Sequence, residues 1–423
     1  MLRARIVSER LARMIRHIII TGGNGYIGSC VAKAALARGR SVTILSRSTS
    51  GLPPGARHIP WTLGDKLPDA SLNPDLPASA QAIIHLAHDW RNPGMTAADE
   101  GGLNRAGTRA LLVSSRQLGI GRFLFVSSQS AREDAENIYG RVKYAIEQEL
   151  DHPGEIAARV GLVYGGPPAA LFALMCKLTG DLPLLPMIDP WREVQPVHVA
   201  EVADGLLRMV DHDATGWMGL AAPVGVSFRL FLQTLAREFH GKSLPIFPIP
   251  LRLALLGCAV TARIPFLPTV DRERVLGLAG VRALPCADHL AALGMEIMPL
   301  AVGLRGEPGS RRAILAEGRA LLAYILRAPP GNMLLRRYAV SIAAAHGGAL
   351  PMSGLFRRVP ALLRLAEPLS VRGQLAQRLR LAATLVETSP RGEAMLAAGS
   401  LLGLGVGFLL DALALPFRLL RRG

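Results

Sequence analysis

The sequence of 423 residues has few cysteines, few aromatic side chains and fewer acidic than basic residues. Its four cysteines, at positions 30, 176, 258 and 286, form no Cys-x-x-Cys pair. That spacing argues against a disulfide framework and against a zinc site, and it favours a reducing, cytoplasmic compartment. Aromatic residues make up only 5% of the chain, and the sequence contains no recognisable motif for reading nucleic acid. We therefore expect no nucleic-acid partner.

Positive charge is concentrated at the two ends of the chain. The formal net charge is +16, of which residues 1–17 carry +4 and residues 305–423 carry +11, so the body between them is nearly neutral. The C-terminal stretch contains 17 arginines and no lysine, and it is also strongly apolar. A basic segment of this kind suits a membrane surface or another protein better than a nucleic acid. Membrane association through this stretch is therefore one expectation.

The first 15 residues are expected to be an N-terminal extension. They are rich in arginine and lack the apolar core and the cleavage site of a secretory signal. A short amphipathic helix, a transit peptide, and translation that starts at Met14 rather than Met1 all stay open.

From residue 18 onward, short apolar strands alternate with helical stretches. Strands are predicted at 18–20, 41–45, 81–86, 122–126, 157–163 and 194–199, and helices at 29–38, 104–118, 139–150 and in the stretch that ends at 210. The strands are continuously apolar rather than alternating, which is typical of a parallel sheet covered on both faces. The pattern predicts an α/β protein with a Rossmann-type, doubly wound parallel sheet.

The strongest motif is TGGNGYIG at 21–28, which follows the first strand and opens the first helix. Gly22 and Gly25 allow a tight turn and a close approach of the backbone to a pyrophosphate, and Gly28 lets the helix pack against the sheet. The phosphates would then meet the free N–H groups at the start of the helix. This motif in this context predicts dinucleotide binding.

The end of the second strand bears on the choice of cofactor. An acidic residue there would bind the ribose 2′-hydroxyl of NAD, but the sequence reads Ser-Arg-Ser at 46–48. Arg47 can pair with a 2′-phosphate, or it can be an ordinary solvated loop residue. We expect NADP as the cofactor, with NAD as the alternative.

Further motifs make the sequence resemble the extended short-chain dehydrogenase/reductase family, also called the NAD-dependent epimerase/dehydratase family. The matching segments appear in the family's order and cover roughly residues 16–305: TGGNGYIG (21–28), GD (64–65), IIHLAH (83–88), NRAGTRALL (104–112), FVSS (125–128), YGRVK (139–143), ARVGLVYGG (158–166) and VQPVHVAEVADGLL (194–207). The resemblance implies an enzyme, with hydride transfer to or from a bound nicotinamide.

By that resemblance Tyr139 is the catalytic acid/base, Lys143 its partner, and Ser128 the group that binds the reacting oxygen, with Ser127 as the rival. The spacing of four residues places Tyr139 and Lys143 on one face of a helix. A cation at that distance is expected to lower the tyrosine pKa, which is ordinarily about 10. Lys143 would also bind the nicotinamide ribose.

Other cofactor contacts are implied by the same resemblance. In addition to the glycines and Arg47, they are Tyr26, Ile27, Asp65, Leu86, Ala87, Asn104, Tyr139 and Lys143. Asp65 would reach the adenine, and His198 is expected to be structural. Two features depart from the family. Ser128 and Tyr139 are only 11 residues apart, which is short for the family's sugar-nucleotide enzymes, and Glu201 stands where Asp is usual.

We expect three parts: the extension 1–15, an NAD(P)-binding epimerase/dehydratase-like domain at 16–305 with a smaller substrate lobe mainly at 166–304, and a helical, arginine-rich, apolar extension at 306–423. Within the last part, residues 394–410 form an uncharged run of 17 residues. A buried or interfacial helix and a short membrane span both stay open for this run.

The expected function is an NAD(P)-dependent oxidoreductase that acts on a carbonyl or secondary alcohol of a small molecule. The apolar stretch at 244–268 suggests a hydrophobic substrate. Two alternatives remain: a non-catalytic NAD(P)H-binding accessory protein at a membrane, and an NAD-dependent nucleotide-sugar epimerase or dehydratase. The sequence does not indicate an oligomeric state.

Overall fold

The structure is a computed structural model that describes residues 15–90, 102–252, 280–345, 349–350, 352, 354–366 and 373–389. The chain divides into two compact units. The first, called here the sheet unit, contains the described residues up to Ala173, in Pro186–Arg229 and in Phe247–Leu300. The second, the helical unit, contains Leu174–Leu185, Leu230–Ile246 and the described residues from Ala301 onward.

The strands are short, and most of the longer ones belong to one sheet. Their bounds are β1 His17–Thr21, β2 Ser41–Ser46, β3 Arg57–Pro60, β4 Gln81–His85, β5 Arg122–Ser128, β6 Glu155–Val160, β7 Leu162–Tyr164, β8 Leu185–Met187, β9 Glu193–Val194, β10 Pro196–His198, β11 Gly216–Leu220, β12 Val226–Ser227 and β13 Ile246–Pro248.

The helices become more frequent toward the C-terminus. Their bounds are α1 Tyr26–Ala37, α2 Gly102–Gln117, α3 Ile138–Glu147, α4 Ala170–Asp181, α5 Val199–Val210, α6 Phe228–His240, α7 Ala287–Ala292, α8 Leu300–Arg305, α9 Pro308–Leu326, α10 Asn332–Ala344, α11 Gly354–Arg358, α12 Leu363–Ala366 and α13 Gln374–Glu387. Short 3₁₀ turns lie at Asp69–Ser71, Ala78–Ala80 and Pro360–Leu362.

The central sheet has seven parallel strands in the order β11-β6-β5-β4-β1-β2-β3. Strand order reverses between β1 and β4, and this point is where parallel α/β sheets open a crevice at the carboxyl ends of their strands. Ile18 and Ile20 belong to a buried cluster on one face, whereas Ile19 belongs to the cluster on the other. Both faces are therefore covered, which explains the continuously apolar strands and confirms the predicted Rossmann-type fold.

Several predicted boundaries were wrong. Strands β3 and β11 were not predicted, although β11 lies at one edge of the central sheet and β3 at the other. Helix α1 begins at Tyr26 rather than at 29, because Tyr26 and Ile27 already belong to its first turn. The strand predicted at 157–163 is two strands, separated at Gly161. A Cβ at Gly161 would lie 2.3 Å from the carbonyl oxygen of Gln195, so the chain passes there without a side chain.

The helical unit has its own buried core, in which α9, α10 and α13 pack together. Tyr338, Leu321, Leu322 and Ile342 are fully buried within it. The predicted helical C-terminal extension is thus confirmed as helical, but the predicted boundary near residue 305 stays a prediction. Segments 174–185 and 230–246 group with the C-terminal helices rather than with the sheet.

A buried carboxylate lies at the centre of the helical unit. The Glu317 side chain is 1% exposed, and it accepts hydrogen bonds from the Tyr338 hydroxyl at 2.5 Å and from the Leu350 amide at 2.6 Å. Arg378 lies 3.5 Å from the same carboxylate. Burial raises the pKa of Glu317, and these three contacts oppose the rise. Among the described helices, none is long and apolar enough to cross a membrane. The run at 394–410 and the extension at 1–14 lie outside the described residues.

Candidate active site

The glycine-rich turn between β1 and α1 is folded tightly against the loop that follows β4. Gly22 has a φ of +66°, which favours glycine, and a Cβ there would lie 3.1 Å from the Ala87 amide nitrogen. A Cβ at Gly28 would lie 2.3 Å from the Gly22 carbonyl oxygen. Gly25 is the N-cap of α1 and has no side chain to accept the first amides of the helix. This uncapped, glycine-rich turn fits the pyrophosphate of a dinucleotide.

A directed chain of hydrogen bonds holds the carboxyl ends of β1 and β4 together. The Thr21 hydroxyl accepts from the amides of Leu86 and Ala87 at 3.1 Å each, so its own proton is donated to His85 Nδ1 at 2.7 Å. His85 Nε2 then carries the ring proton and donates it to the Thr108 hydroxyl at 2.9 Å. Burial and the charge of Lys143 lower the pKa of His85 to about 3, so the ring stays neutral and rigid.

Asn104 extends this support to the loop after β4. Its side chain is buried, and it accepts from the Asp89 amide at 2.7 Å and donates to the Asp89 carbonyl at 3.1 Å. The Thr108 hydroxyl, in turn, donates to the Asn104 carbonyl at 2.7 Å. Asn104 therefore orders the loop that borders the crevice, which is compatible with the supporting position predicted for it.

The other predicted cofactor residues are distributed around the turn. Tyr26 donates its hydroxyl to the Gly165 carbonyl at 2.5 Å, and Ile27 packs against the core. Arg47 is exposed directly after β2, and no described residue forms an ion pair with it. Asp65 accepts the Thr62 amide at 2.9 Å within its own turn, so that one carboxylate oxygen is engaged locally.

Ser128, the last residue of β5, lies beside Tyr139 near the start of α3. The two side chains are hydrogen-bonded, and the Ser128 hydroxyl also accepts the Ser130 amide at 3.1 Å. Ser127 is buried, and its hydroxyl has no hydrogen-bond partner among the described residues. The geometry therefore favours Ser128 over Ser127 as the serine that works with Tyr139.

Lys143 is buried one helical turn after Tyr139. Its ammonium donates to the Val126 carbonyl at 2.8 Å, lies 4.4 Å from the centre of the Phe125 ring and 5.7 Å from that of Tyr139. Burial lowers the pKa of Lys143 to about 7, and the charge of Glu147 opposes this shift. The predicted pair thus shares one helix face and points to the end of β5.

The expected lowering of the Tyr139 pKa is not found. Burial instead raises the pKa of Tyr139 to about 12, and the hydrogen bond with Ser128 only partly opposes that shift. The physical reason is that the phenol is surrounded by aromatic rings. Trp90 stacks on Tyr139 with ring centres 5.2 Å apart and planes at 20°, and His88 meets it edge-on at 5.2 Å. Burial also lowers the pKa of His88 to about 3, so the ring adds no positive charge.

Four residues at this site were missed at the level of sequence. Besides His88 and Trp90, they include Asn137, which caps α3 by accepting the Gly140 amide at 3.1 Å. Gly140 lets α3 approach the preceding loop, since a Cβ there would lie 2.3 Å from the Ser130 carbonyl oxygen. The Asn-x-x-Gly spacing just before and after Tyr139 was the available signal, because Asn is a preferred N-cap residue.

His198 has a structural position, in agreement with the expectation. It caps α5, and Glu201 completes the capping box by accepting the His198 amide at 3.0 Å. The other oxygen of Glu201 accepts the Met298 amide at 2.7 Å. The longer side chain of Glu, compared with the usual Asp, thus connects two segments of the sheet unit.

The part of the chain that carries this site matches a known family. Residues 18–220 match the sequence model of the NAD-dependent epimerase/dehydratase family. This part of the chain resembles that family in sequence. The matched residues, 18–220, include all seven strands of the central sheet except the first residue of β1. They also include every residue proposed from the resemblance. The family's description names NAD-dependent epimerases and dehydratases.

Individual relatives are distant. A protein of Synechocystis sp. with the provisional name dihydroflavonol 4-reductase is 26% identical over 185 residues, which are 38% of this chain and 52% of that protein. The chain therefore spans about half the length of this curated relative. UDP-glucose 4-epimerase from Thermotoga maritima, solved with UDP-glucose, has a TM-score of 0.50 at 19% identity, covering 68% of this chain and 96% of that one. The NDP-hexosamine 5,6-dehydratase TunA has a TM-score of 0.51 at 18% identity, with coverage of 68% and 95%. At these identities the solved structures show a shared fold only.

Proposed function

We propose that the protein is an oxidoreductase that uses a nicotinamide cofactor to interconvert a carbonyl and a secondary alcohol in a small-molecule substrate. The observation that carries the proposal is the grouping of Ser128, Tyr139 and Lys143 at the carboxyl end of β5. This strand is next to β4, and the glycine turn lies one strand further, at the end of β1. Both the reacting groups and the dinucleotide turn thus open to the same edge of the sheet.

In the proposed reaction the bound nicotinamide supplies or accepts the hydride. The residues of the chain supply the proton and position the reacting groups. Because the pKa of Tyr139 is about 12, its phenol carries its proton at neutral pH. A protonated phenol is the form that donates to the oxygen of a carbonyl as it is reduced, whereas the reverse reaction requires the phenolate. Ser128, already hydrogen-bonded to Tyr139, binds the same oxygen.

Lys143 also contributes to cofactor binding in this proposal. Among the described residues its ammonium has one hydrogen bond, to Val126, although it carries three donors. We propose that the remaining donors bind the hydroxyl groups of the nicotinamide ribose. Those bonds would stabilise the charged form of Lys143 and raise its pKa from about 7, and a charged Lys143 would in turn lower the pKa of Tyr139.

The proposed cofactor is NADP, although the family is described as NAD-dependent. Arg47 follows β2 without an acidic residue at the position that would bind a ribose 2′-hydroxyl. Its side chain is exposed and has no ion-pair partner among the described residues, so its fork of donors is available to a 2′-phosphate. The predicted hydrophobic substrate stays a prediction, because residues 253–268 lie outside the described part of the chain.

One observation favours a second candidate, a dinucleotide-binding protein without catalysis. Trp90 covers one side of the Tyr139 ring although the Trp90 side chain is itself 69% exposed. A substrate that reaches the phenol must either leave this stack in place or displace Trp90 from it. In a binding protein the stack would simply remain, and the cofactor would stabilise the fold.

Turnover separates these candidates. The wild-type protein is tested for NADPH oxidation with a panel of aliphatic and aromatic aldehydes and ketones, beside Tyr139→Phe and the matched control Tyr144→Phe on the same helix. We expect turnover that falls about 10³-fold in Tyr139→Phe, because the phenol proton is lost, and that is unchanged in Tyr144→Phe. NADPH affinity, measured by fluorescence titration, should stay within twofold in both variants.

Other outcomes of these measurements would support a different function. NADPH binding with no turnover on any carbonyl, or turnover indifferent to Tyr139→Phe, contradicts the oxidoreductase and supports the binding protein. Cofactor that co-purifies in its oxidised form, together with conversion of a nucleotide sugar without net redox change, would indicate the epimerase or dehydratase alternative.

A further inference from the structure

The helical unit contains a cavity of about 660 Å³ that is lined by five arginines. We call it the arginine cavity, and its basic residues are Arg319, Arg327, Arg357, Arg358 and Arg364. No acidic residue lines it, and the remaining lining residues are small, apolar or neutral. Neither the glycine turn nor the Ser128–Tyr139 site has any residue in this cavity.

One wall of the cavity is a face of α9. Arg319 and Ala323 are four residues apart, so their side chains project from the same face of the helix, and Arg327 follows at its C-terminal end. Ala323 is the small residue between two long cations, and it leaves space between their guanidinium groups. Pro329 and Pro330, which follow the helix, restrict the backbone at the edge of the cavity.

Another part of the lining comes from the segment 357–364. Arg357 is half-buried, and its guanidinium donates to the carbonyl of His240, which fixes the direction of the side chain. Burial lowers the pKa of Arg357. Arg358, the next residue, is exposed at the end of α11. The cations on both parts of the lining are thus carried by helices or residues next to them rather than by a long loop.

Three of the five cations have no acidic partner within the described part of the chain. No described residue forms an ion pair with Arg319, Arg327 or Arg358. The acid on α9, Glu317, is occupied by Tyr338, the Leu350 amide and Arg378. Several like charges around one cavity repel one another unless an anion lies between them. The cavity therefore carries several positive charges, and none of its lining residues is acidic.

The backbone adds a second, independent feature. Arg327 ends α9 with a φ of +54° and a ψ of +22°, a left-handed conformation that a non-glycine residue seldom adopts. A glycine at this C-terminal position would avoid the strain, but it would remove one of the cations from the cavity. Strained residues of this kind concentrate where a side chain must be held in a particular place.

We propose that the arginine cavity binds a phosphate-bearing anion. Guanidinium groups form paired hydrogen bonds with phosphate, and a phosphate group offers more acceptor oxygens than a single carboxylate, which suits five surrounding cations. The volume lies in the range of small-molecule sites. Tyr324 and Leu335 give the same cavity an apolar portion for the remainder of the ligand. A soluble organic phosphate and a phospholipid head group share this chemistry.

Binding of inorganic pyrophosphate, followed by calorimetry at low salt, tests the site. The double variant Arg319→Gln/Arg358→Gln removes two cations from the cavity. The matched control Arg311→Gln/Arg336→Gln removes two exposed cations of the helical unit that lie outside it. We expect at least a tenfold loss of affinity in the cavity variant and less than a twofold change in the control. Equal losses, or no binding to the wild-type protein, would overturn the proposal.

A second variant tests the volume of the arginine cavity separately from its charge. Ala323→Phe fills the cavity but keeps all five arginines, so it should also weaken pyrophosphate binding tenfold, with circular dichroism confirming the fold. Pyrophosphate also suits the glycine turn, so binding that survives both cavity variants belongs elsewhere and overturns the inference. Sedimentation with phosphatidylglycerol and phosphatidylcholine vesicles distinguishes the sources. Selective binding to phosphatidylglycerol that is lost in the cavity variant indicates a head group, and binding of pyrophosphate alone indicates a soluble ligand.

Discussion

The two units of the molecule each bury a charged side chain, but they treat it differently. In the helical unit Glu317 has a hydroxyl, a backbone amide and a guanidinium as partners. In the described part of the sheet unit Lys143 has one hydrogen bond, to Val126, and two aromatic rings nearby. Burial shifts the pKa of both groups toward the neutral form. The number of partners, rather than burial itself, distinguishes them.

This difference indicates two functions for a buried charge. A carboxylate with three partners is a structural element, because a change to any partner leaves a polar group unpaired in the core. An ammonium with unused donors is costly to the fold unless a ligand completes its bonds. Groups whose pKa is shifted in this way are concentrated at functional sites. We therefore expect mutations at Glu317 to affect stability and mutations at Lys143 to affect activity.

The largest effect is expected for Glu317→Ala. The change leaves the Tyr338 hydroxyl, the Leu350 amide and the Arg378 guanidinium without their shared acceptor, and breaking a buried charge pair costs about 3–5 kcal/mol. Urea denaturation should show this loss in the free energy of unfolding of the helical unit. The control is Glu387→Ala, an exposed acid on α13, for which we expect a change within about 0.5 kcal/mol. Similar losses in both variants would remove the contrast between the two units.

The next effect is expected for Lys143→Met. Methionine preserves much of the chain length but has no donors for a ribose, so kcat/KM for carbonyl reduction should fall about 100-fold. The free energy of unfolding should change by less than about 1 kcal/mol, because the lost bond to Val126 is offset by the removal of a buried ammonium. A variant that unfolds but retains the activity of its folded fraction would assign Lys143 to structure instead.

The smallest effect is expected for Arg47→Ala. Loss of its pairing with a 2′-phosphate should weaken NADPH binding about tenfold, or about 1.4 kcal/mol, and leave NADH binding unchanged. Arg57→Ala is the control, because Arg57 begins β3, while the turn and Arg47 lie at the carboxyl ends of the strands. Equal effects on the two cofactors would exclude Arg47 as the residue that selects NADPH.

Much of the sheet unit could be predicted because its signals are local. The glycine turn, the continuously apolar strands, and the spacing of Tyr139 and Lys143 can each be recognised within a few residues. Strands β3 and β11 could not, since Arg57 and His58 give β3 a polar start and two glycines weaken β11. Both are edge strands, and their place in the sheet is set by tertiary pairing rather than by local propensity.

The electrostatics of the site could not be predicted from spacing alone. A tyrosine near a lysine suggested a lowered pKa, but burial by rings that follow β4 in the sequence reversed the direction for Tyr139. The Glu317 network gave no signal either, because Tyr338 and Leu350 are 21 and 33 residues away from it along the chain. The desolvation of a buried side chain depends on segments that are distant in the sequence, so it cannot be predicted from a short motif.

The most direct test is a measurement of the Lys143 pKa itself by nuclear magnetic resonance of labelled lysine, with Lys143→Met to assign the signal. We expect a pKa of about 7 in the free protein, and unfolding stability that is lower at pH 7 than at pH 9 because the unfolded chain retains the lysine proton over that range. Saturation with NADPH should raise this pKa, since the ribose hydroxyls would provide the missing partners. A value near 10.5 in the free protein that the cofactor does not change would contradict the proposed function of Lys143.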